Sequence, residues 1–452
     1  ARYESVTADG VKHFFAGVLH KEHRALVQCL PGEKVVPGGP PTPPAPGAGR
    51  APTVSAEPWR SKPPTAGPVS TTPLPIARSF ELPNGLRVLL VELHGLPVVA
   101  ASTVIRAGSA ADPADLPGLA GFVYSMLDEG AGRRDAMAIA RDLETLGASL
   151  ETSAFSDGGA ISVASLKAQA ADALSILADV VTRPTFPDSE LSRVRNNRLT
   201  RLVQVRQNPF ATGIRVMLPA IYGAGHPYGH NELGLDATVK AVTRDQISSF
   251  YHRYFSPANT ALVLAGDLTE AEARKLATRA FGEWSAPGEV VRAPEGGTPT
   301  AARITVVNMP SASQTALLAA QLSVTRADPD FEKLNIMNQV LGGLFSSRLN
   351  LNLREKNGYT YGAFSSLPEN RLPGPYVMGA DVRTDVTGAS VKEMMKEVSG
   401  MLSAPVTGDE LRLAKESVSR TLPAYFMTTA STAATIGQLY LLDLPPDYYQ
   451  GL

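Results

Sequence analysis

Few residues in this chain combine the type and spacing that chemistry needs. Two stretches look like metal ligands: His226, His230 and Glu232 in GHPYGHNE, and His20, Glu22 and His23 in HKEH. Imidazoles and carboxylates of this kind bind divalent cations. The helical zinc motif is HxxEH, which sets two histidines one turn apart on a shared face and adds a glutamate as general base. HKEH has the wrong spacing and reads as a solvated turn. Pro227 and Gly229 make the other stretch a loop, so helical spacing has no meaning there. Ser346, Ser347 and Ser365 have no nearby histidine with a carboxylate, and nothing supports a serine triad. Cys29 is the only cysteine. It sits in the apolar run RALVQCL and reads as an inert core thiol, and its solitude excludes internal disulfides and a cysteine-rich metal site. No phosphate-cradling glycine loop and no dinucleotide fingerprint is present.

The elements that must position any site come next. The chain has 452 residues with 42 Lys+Arg against 43 Asp+Glu, which excludes a strongly basic nucleic-acid binder and an acidic tail protein. Hydrophobic residues make up 44%, enough for real cores, and at about 100–200 residues per domain two or three domains are expected. No apolar run approaches the roughly 18 residues that span a bilayer, and ARYESVTADG does not read as a signal peptide. A Pro-, Ala- and Gly-rich chain with one cysteine suits a bacterial periplasm, though the cytosol tolerates it too.

Residues 31–77 hold 14 of the 36 prolines and read as an extended linker. Before it, VTADGVKHFFAGVL predicts a helix, with Val11, Phe14, Phe15 and Val18 at helical spacing, and RALVQCL predicts a strand. From residue 78 the pattern is α+β. SFELPNGLRVLLVEL is a hairpin around Asn84-Gly85, and VVAASTVIRAG is a third strand. Helices are expected near 117–128, 135–147, 168–182, 188–207, 209–222, 243–254 and 270–281, with strands near 149–155, 160–165 and 260–265. A second set opens with a strand in ARITVVNM and continues with helices near 328–341, 346–356, 390–403, 407–425 and 429–441.

The layout repeats. VTRDQISSFYHRYFSPANTALVLAG (242–266) aligns without a gap to VTADGVKHFFAGVLHKEHRALVQCL (6–30), 236 residues earlier. Glu190-Leu191 and Glu410-Leu411 echo each other at an offset of 220. The expected organisation is therefore 1–33 as the tail of a preceding repeat, 34–77 as linker, 78–300 as a first domain and 301–452 as a second. By the same spacing the second domain's own tail falls at roughly position 462, past the last residue, so an upstream half is expected before Ala1.

The stretches FELPNGLRVLLVE, PGLAGFVYSMLDEGA, LETLGASLE, YGAGHPYGH and LGGLFSSRLNLNLREKNGYTYG, in this order and together with 242–266, resemble the pitrilysin/insulinase family of zinc peptidases. The resemblance covers about 78–452 and the tail. It implies two similar domains, each a mixed, mainly antiparallel sheet with helices on one face. It also implies two such halves closing around a chamber for unfolded peptides, which pair along a sheet edge.

The family's zinc motif is lost. GLAGFVYSML places Gly121, Tyr124 and Ser125 where HxxEH would stand, and the third-ligand position, a Glu about 76 residues on in the family, falls near Arg201. These residues supply no ligand, and an arginine repels a dication. This segment alone is expected to bind no zinc, with zinc on the upstream or partner half. The family's other feature is an Arg and a Tyr seven residues apart in the non-zinc half, reaching across to the substrate carbonyl. LREKNGYTY provides Arg354 and Tyr361. A fixed cation and a phenol suit a developing oxyanion. The plain alternative is that Arg354 caps a helix and Tyr361 packs on a strand, and Tyr359 competes for the phenol role. Gly342 and Gly343 either line the chamber, as the resemblance implies, or end a helix.

Two functions follow as expectations. One is the non-zinc half of a bipartite metalloendopeptidase, with a homologous zinc-bearing half and extended peptides as partners and no nucleic acid or membrane span. The other is a catalytically inactive scaffold or chaperone-like member.

Overall fold

The computed structural model describes residues 2–28, 67, 73–223, 225–291, 301–310 and 312–452. The chain divides into two units, Ala1–Pro68 and Val69–Leu452.

In the first unit, Thr7 caps helix α1 (Ala8–Val18) by accepting the Gly10 N–H at 3.1 Å, and a 3-10 turn follows at Lys21–His23. Of the strand expected at 24–30, the described residues Arg24–Gln28 are irregular. A strand is stable only with a ladder partner, and none pairs with these residues among those described. Cys29 and the proline-rich stretch, apart from Gly67 and residues 73–77, lie outside the described residues.

The second unit begins with hairpin β1 (Arg78–Glu81) and β2 (Arg87–Glu92), whose turn puts Gly85 at φ +83°. Asn84 fixes that turn by donating to the carbonyls of Phe281 (2.7 Å) and Trp284 (2.9 Å). Next come β3 (Val98–Ile105), α2 (Leu119–Tyr124), the two-residue strands β4 (Gly130–Ala131) and β5 (Arg134–Asp135), α3 (Ala136–Leu146), β6 (Ser149–Ala154) and β7 (Gly159–Leu166). Then follow α4 (Ala170–Thr182), α5 (Asp188–Gln207), α6 (Pro209–Tyr222), α7 (Asp236–Ala241), α8 (Arg244–Tyr254), β8 (Thr260–Gly266) and α9 (Glu270–Phe281). Six strands form one sheet in the order β1-β2-β8-β3-β7-β6, antiparallel except for β2 with β8.

The second half contains β9 (Gln314–Leu322), α10 (Phe331–Asn338), π-helical segments at Gln339–Gly343 and Asn350–Lys356, β10 (Thr360–Ser366), β11 (Pro375–Arg383), α11 (Thr387–Ser403), α12 (Gly408–Thr421) and α13 (Thr429–Leu441). Its sheet runs β10-β11-β9, antiparallel throughout. The strand expected in ARITVVNM is absent, since residues 301–309 are irregular. Strand β9 was not anticipated: QTALLAAQL is a nearly unbroken apolar run without strand alternation.

The architecture is α+β with two similar domains. β3-β7-β6 and β9-β11-β10 correspond strand for strand: Val98 stands opposite Leu166 as Gln314 stands opposite Arg383. Helices α2, α3, α4, α8 and α9 cover one face of the first sheet, burying Phe122, Leu177, Phe250 and Phe281. Helix α13 comes back from the second half to cover the other face, seating Ile436 and Leu439 on Val104 and Val263. The repeat places α6 where α13 stands, and α6 packs on the second sheet: Gly213 approaches Leu318, and Phe210 meets the Phe364 ring at 5.6 Å. Each sheet is thus covered by a helix from the other half, which interlocks the halves. Among the described residues no helix is long and apolar enough to cross a membrane.

Candidate functional site

Asp112 sets the start of α2. Its carboxylate accepts the N–H groups of Gly118 and Ala120, both at 2.6 Å, and pairs with His230 Nε2 at 3.1 Å. Burial pushes the Asp112 carboxyl above its ordinary value, and the His230 bond opposes that. All six residues of α2 are buried. At Gly121 any side chain would run into the carbonyl of Glu232 and come within 3.0 Å of Arg198 Nη2. Tyr124 turns into the core, lies against Gly159 of β7 and meets Phe255 at 5.4 Å. Its hydroxyl finds no partner, and burial raises its pKa well above the ordinary value. Ser125 Oγ donates to the Gly121 carbonyl at 2.7 Å and accepts from Arg198 Nη1 at 3.3 Å.

Arg198, not Arg201, is the α5 residue that faces this place. It is 6% exposed and donates to the carbonyls of Glu232 and Gly118, with Phe122 5.2 Å from its guanidinium. Burial, then the charge of Arg201, lowers its pKa to about 10. Arg201 is exposed. The signal for Arg198 was in the helix: Leu191, Val194, Arg198 and Leu202 are the buried residues of α5, one stripe at helical spacing. Gly121, Tyr124, Ser125 and Arg198 therefore form a closed core cluster with a cation inside it. They offer no ligand for zinc, and a histidine at 121 has no room. Among the described residues no group of three or more His, Cys, Asp or Glu side chains is placed to hold a metal ion.

The GHPYGHNE loop is a latch. His226 stacks on Tyr222 at 4.9 Å, the Tyr228 hydroxyl donates to Asp157, and the Glu232 carbonyl accepts from Arg198. Asp157 also accepts the Arg371 N–H at 3.0 Å, so the loop helps join the two halves. His20 and His23 lie in the exposed turn of the first unit, 5.5 Å apart ring to ring.

The second domain presents its candidates differently. The register between β10 and β11 shifts between Thr360 and Ala363, a bulge that turns Tyr361 out to 92% exposure. Thr360 Oγ1 braces the bulge by donating to the Asp381 carbonyl at 2.7 Å. Asn350 locks the preceding π-helical segment to the strand: it accepts the Ala363 N–H at 2.9 Å and donates to the Ala363 carbonyl at 2.7 Å. Arg354 rides on that segment, half-buried, over the Phe345 ring at 4.4 Å and 3.4 Å from Glu355. The Tyr359 carbonyl accepts the Arg383 N–H, and its own N–H reaches Leu353.

Gly342 and Gly343 separate in role. Gly342 is buried, and a side chain there would meet Ser365 Oγ at 2.6 Å, so it allows close packing on β10. Gly343 is exposed. Neither has a positive φ, so neither forms a left-handed helix end. Ser347 and Ser365 are buried in hydrogen bonds to Asn350 and Asn338, and Ser346 is exposed.

Residues 87–231 match the sequence profile described as insulinase (peptidase family M16), and residues 241–418 the one described as peptidase M16 inactive domain. An uncharacterized zinc protease, YmxG, of Bacillus subtilis is 22% identical over 81% of this chain and 88% of its own length. A Helicobacter pylori protein named as a non-peptidase homolog, also YmxG, is 23% identical over 81% of this chain and 84% of its own. The crystal structure of a peptidase M16 inactive domain from Pseudomonas fluorescens superposes with a TM-score of 0.78 at 30% identity, covering 83% of this chain and 90% of that one. Two corresponding domains, one with a sealed α2 cluster and one with Tyr361 turned outward, thus sit in a chain that belongs to the M16 (insulinase/pitrilysin) peptidase family.

Proposed function

We propose that this chain is a catalytically inactive M16 half that binds extended, unfolded peptides and lends Arg354 and Tyr361 to a homologous half holding the zinc and the general base. That half either precedes this one in the same polypeptide or is a separate chain. The observation that carries the reading is the bulge at Tyr361. A large aromatic is held out to solvent on a strand that Asn350 and Thr360 lock in place, beside the segment bearing Arg354. Such exposure is wasteful for packing and suits a surface that meets a ligand.

The guanidinium and phenol would donate to the carbonyl oxygen of a bound peptide. Their donation strengthens as that oxygen gains negative charge, an effect on the order of a few kcal/mol. Affinity would come from main-chain pairing along a sheet edge, for which β6 and β10, corresponding strands at the outer ends of their sheets, are the candidates. Gly343, exposed near Arg354, would leave room for a peptide backbone.

A second reading, an inactive scaffold, draws support from the Helicobacter pylori relative named as a non-peptidase homolog. The test is Arg354→Ala in the assembled protein. A fall in peptide turnover of at least about tenfold is expected. Unchanged kinetics would remove the oxyanion role, and an assembly that binds peptides without hydrolysing them would select the scaffold.

A further inference from the structure

Arg354 is fixed at its root, and its tip rests on one ring. Its carbonyl accepts the Gly358 N–H at 3.1 Å, the neighbouring Leu353 is fully buried, and the Leu353 carbonyl accepts the Tyr359 N–H at 2.8 Å. The long side chain then leaves the backbone, and among the described residues two groups meet its guanidinium. Glu355 lies 3.4 Å from Nε, and the centroid of the Phe345 ring lies 4.4 Å from Cζ. Glu355 is itself exposed, and a solvated neighbouring carboxylate restrains a cation weakly. Among the described residues no hydrogen bond engages Nη1 or Nη2.

Phe345 is 68% exposed, on the loop between the two π-helical segments. The core does not use its ring; the guanidinium lies on it. The loop beneath is rigid. The Leu344 carbonyl accepts both the Ser347 N–H at 3.0 Å and the Asn350 side-chain amide at 3.2 Å. That same Asn350 clamps Ala363 of β10. One asparagine therefore sets the ring, the segment bearing Arg354 and the strand bearing Tyr361 in one frame. An aromatic face attracts a guanidinium through its quadrupole, and this contact spends none of the N–H groups. They lie in the guanidinium plane and stay open at its edge.

We infer that Phe345 is a positioning residue, a platform that holds the Arg354 guanidinium in one orientation with its edge donors presented to a peptide carbonyl. This rests on the role proposed above for Arg354. A long cationic side chain loses rotamer freedom when it grips a ligand, and a platform that restrains it beforehand reduces that loss. Phe345 acts through Arg354 and needs no contact with the peptide. The ring must be aromatic for this, because an aliphatic side chain of similar size packs against the arginine stem but offers the charge nothing.

The test uses the full chain and a fluorescein-labelled casein peptide, read by fluorescence anisotropy. Phe345→Leu should raise Kd about threefold, the scale of one exposed cation–π contact. Phe345→Trp, a stronger platform, should bind at least as tightly as the unaltered chain. In an Arg354→Ala background, Phe345→Leu should change Kd no further. The Arg354 Nε–H resonance should lose its ring-current shift in Phe345→Leu and keep one in Phe345→Trp. An unchanged Kd for Phe345→Leu beside a weakened Arg354→Ala would overturn the platform and leave the role of Arg354 standing. Equal losses from Phe345→Leu in both backgrounds, a loss that Phe345→Trp does not recover, or an Nε–H resonance indifferent to the ring would each overturn it as well. Arg354→Ala without effect would remove the peptide-binding reading of Arg354, and the platform with it.

Discussion

The two domains of Val69–Leu452 share the order of three strands and exchange a covering helix, yet they treat corresponding space in opposite ways. In the first, α2 is drawn wholly into the core, Tyr124 fills the space in front of Gly159, and Arg198 closes what is left with hydrogen bonds to carbonyls. In the second, a bulge turns Tyr361 out to solvent and an asparagine clamp fixes the strand that carries it. A fold that tolerates both shows how chemistry is carried by a few residues on a scaffold rather than by the scaffold. A buried cation with a depressed pKa is the opposite of a metal site, because it occupies the space and repels the ion.

This contrast can be broken most forcefully at Gly121. Gly121→His should destabilise the protein by about 3 kcal/mol through overpacking against the Glu232 carbonyl, read as a lower urea midpoint, without conferring zinc binding. A variant of unchanged stability would show that the first site has room. Next in size is Asn350→Ala, which leaves the buried Ala363 amide and carbonyl unpaired at a cost of about 2 kcal/mol. Hydrogen exchange should quicken along 360–366 while 149–154 stays protected. Arg354→Ala should weaken binding of a labelled unfolded peptide about tenfold, measured by fluorescence anisotropy, with stability unchanged.

The smallest effect compares Glu190 with its counterpart Glu410. Glu190 pairs along its own helix with Arg193, whereas Glu410 takes two bonds from Arg348, at 2.7 and 2.8 Å. Those bonds hold Glu410 down at about 2, against an ordinary 4.5. A carboxyl lowered in the folded state stabilises it fully above the ordinary value and loses that contribution as pH falls toward 2. After solvent screening this amounts to about 1 kcal/mol. Arg348→Met should flatten the acid limb of the stability profile between pH 4.5 and 2.

Much of this was legible in the residues. Helices α5 and α6 agree with the expected 188–207 and 209–222, because Pro187, Asn208 and Pro209 punctuate them. The two strands that failed, in RALVQCL and ARITVVNM, failed for one reason: local pattern specifies a strand, but a ladder needs a neighbour, and neighbours are a tertiary fact. Arg198 was hidden because a spacing rule carried over from a family ignores which face of α5 points inward. Gly342 and Gly343 read as a chamber lining or a helix end, and the pattern did not show that Ser365 packs against Gly342.

The proposal that zinc sits on a homologous half requires the α2 site of this chain to hold none. Elemental analysis of the full chain, after equilibration with zinc and exhaustive dialysis, tests it directly. Below about 0.1 zinc per chain is expected. One tightly held zinc ion per chain, lost on Ser125→Ala, would contradict it.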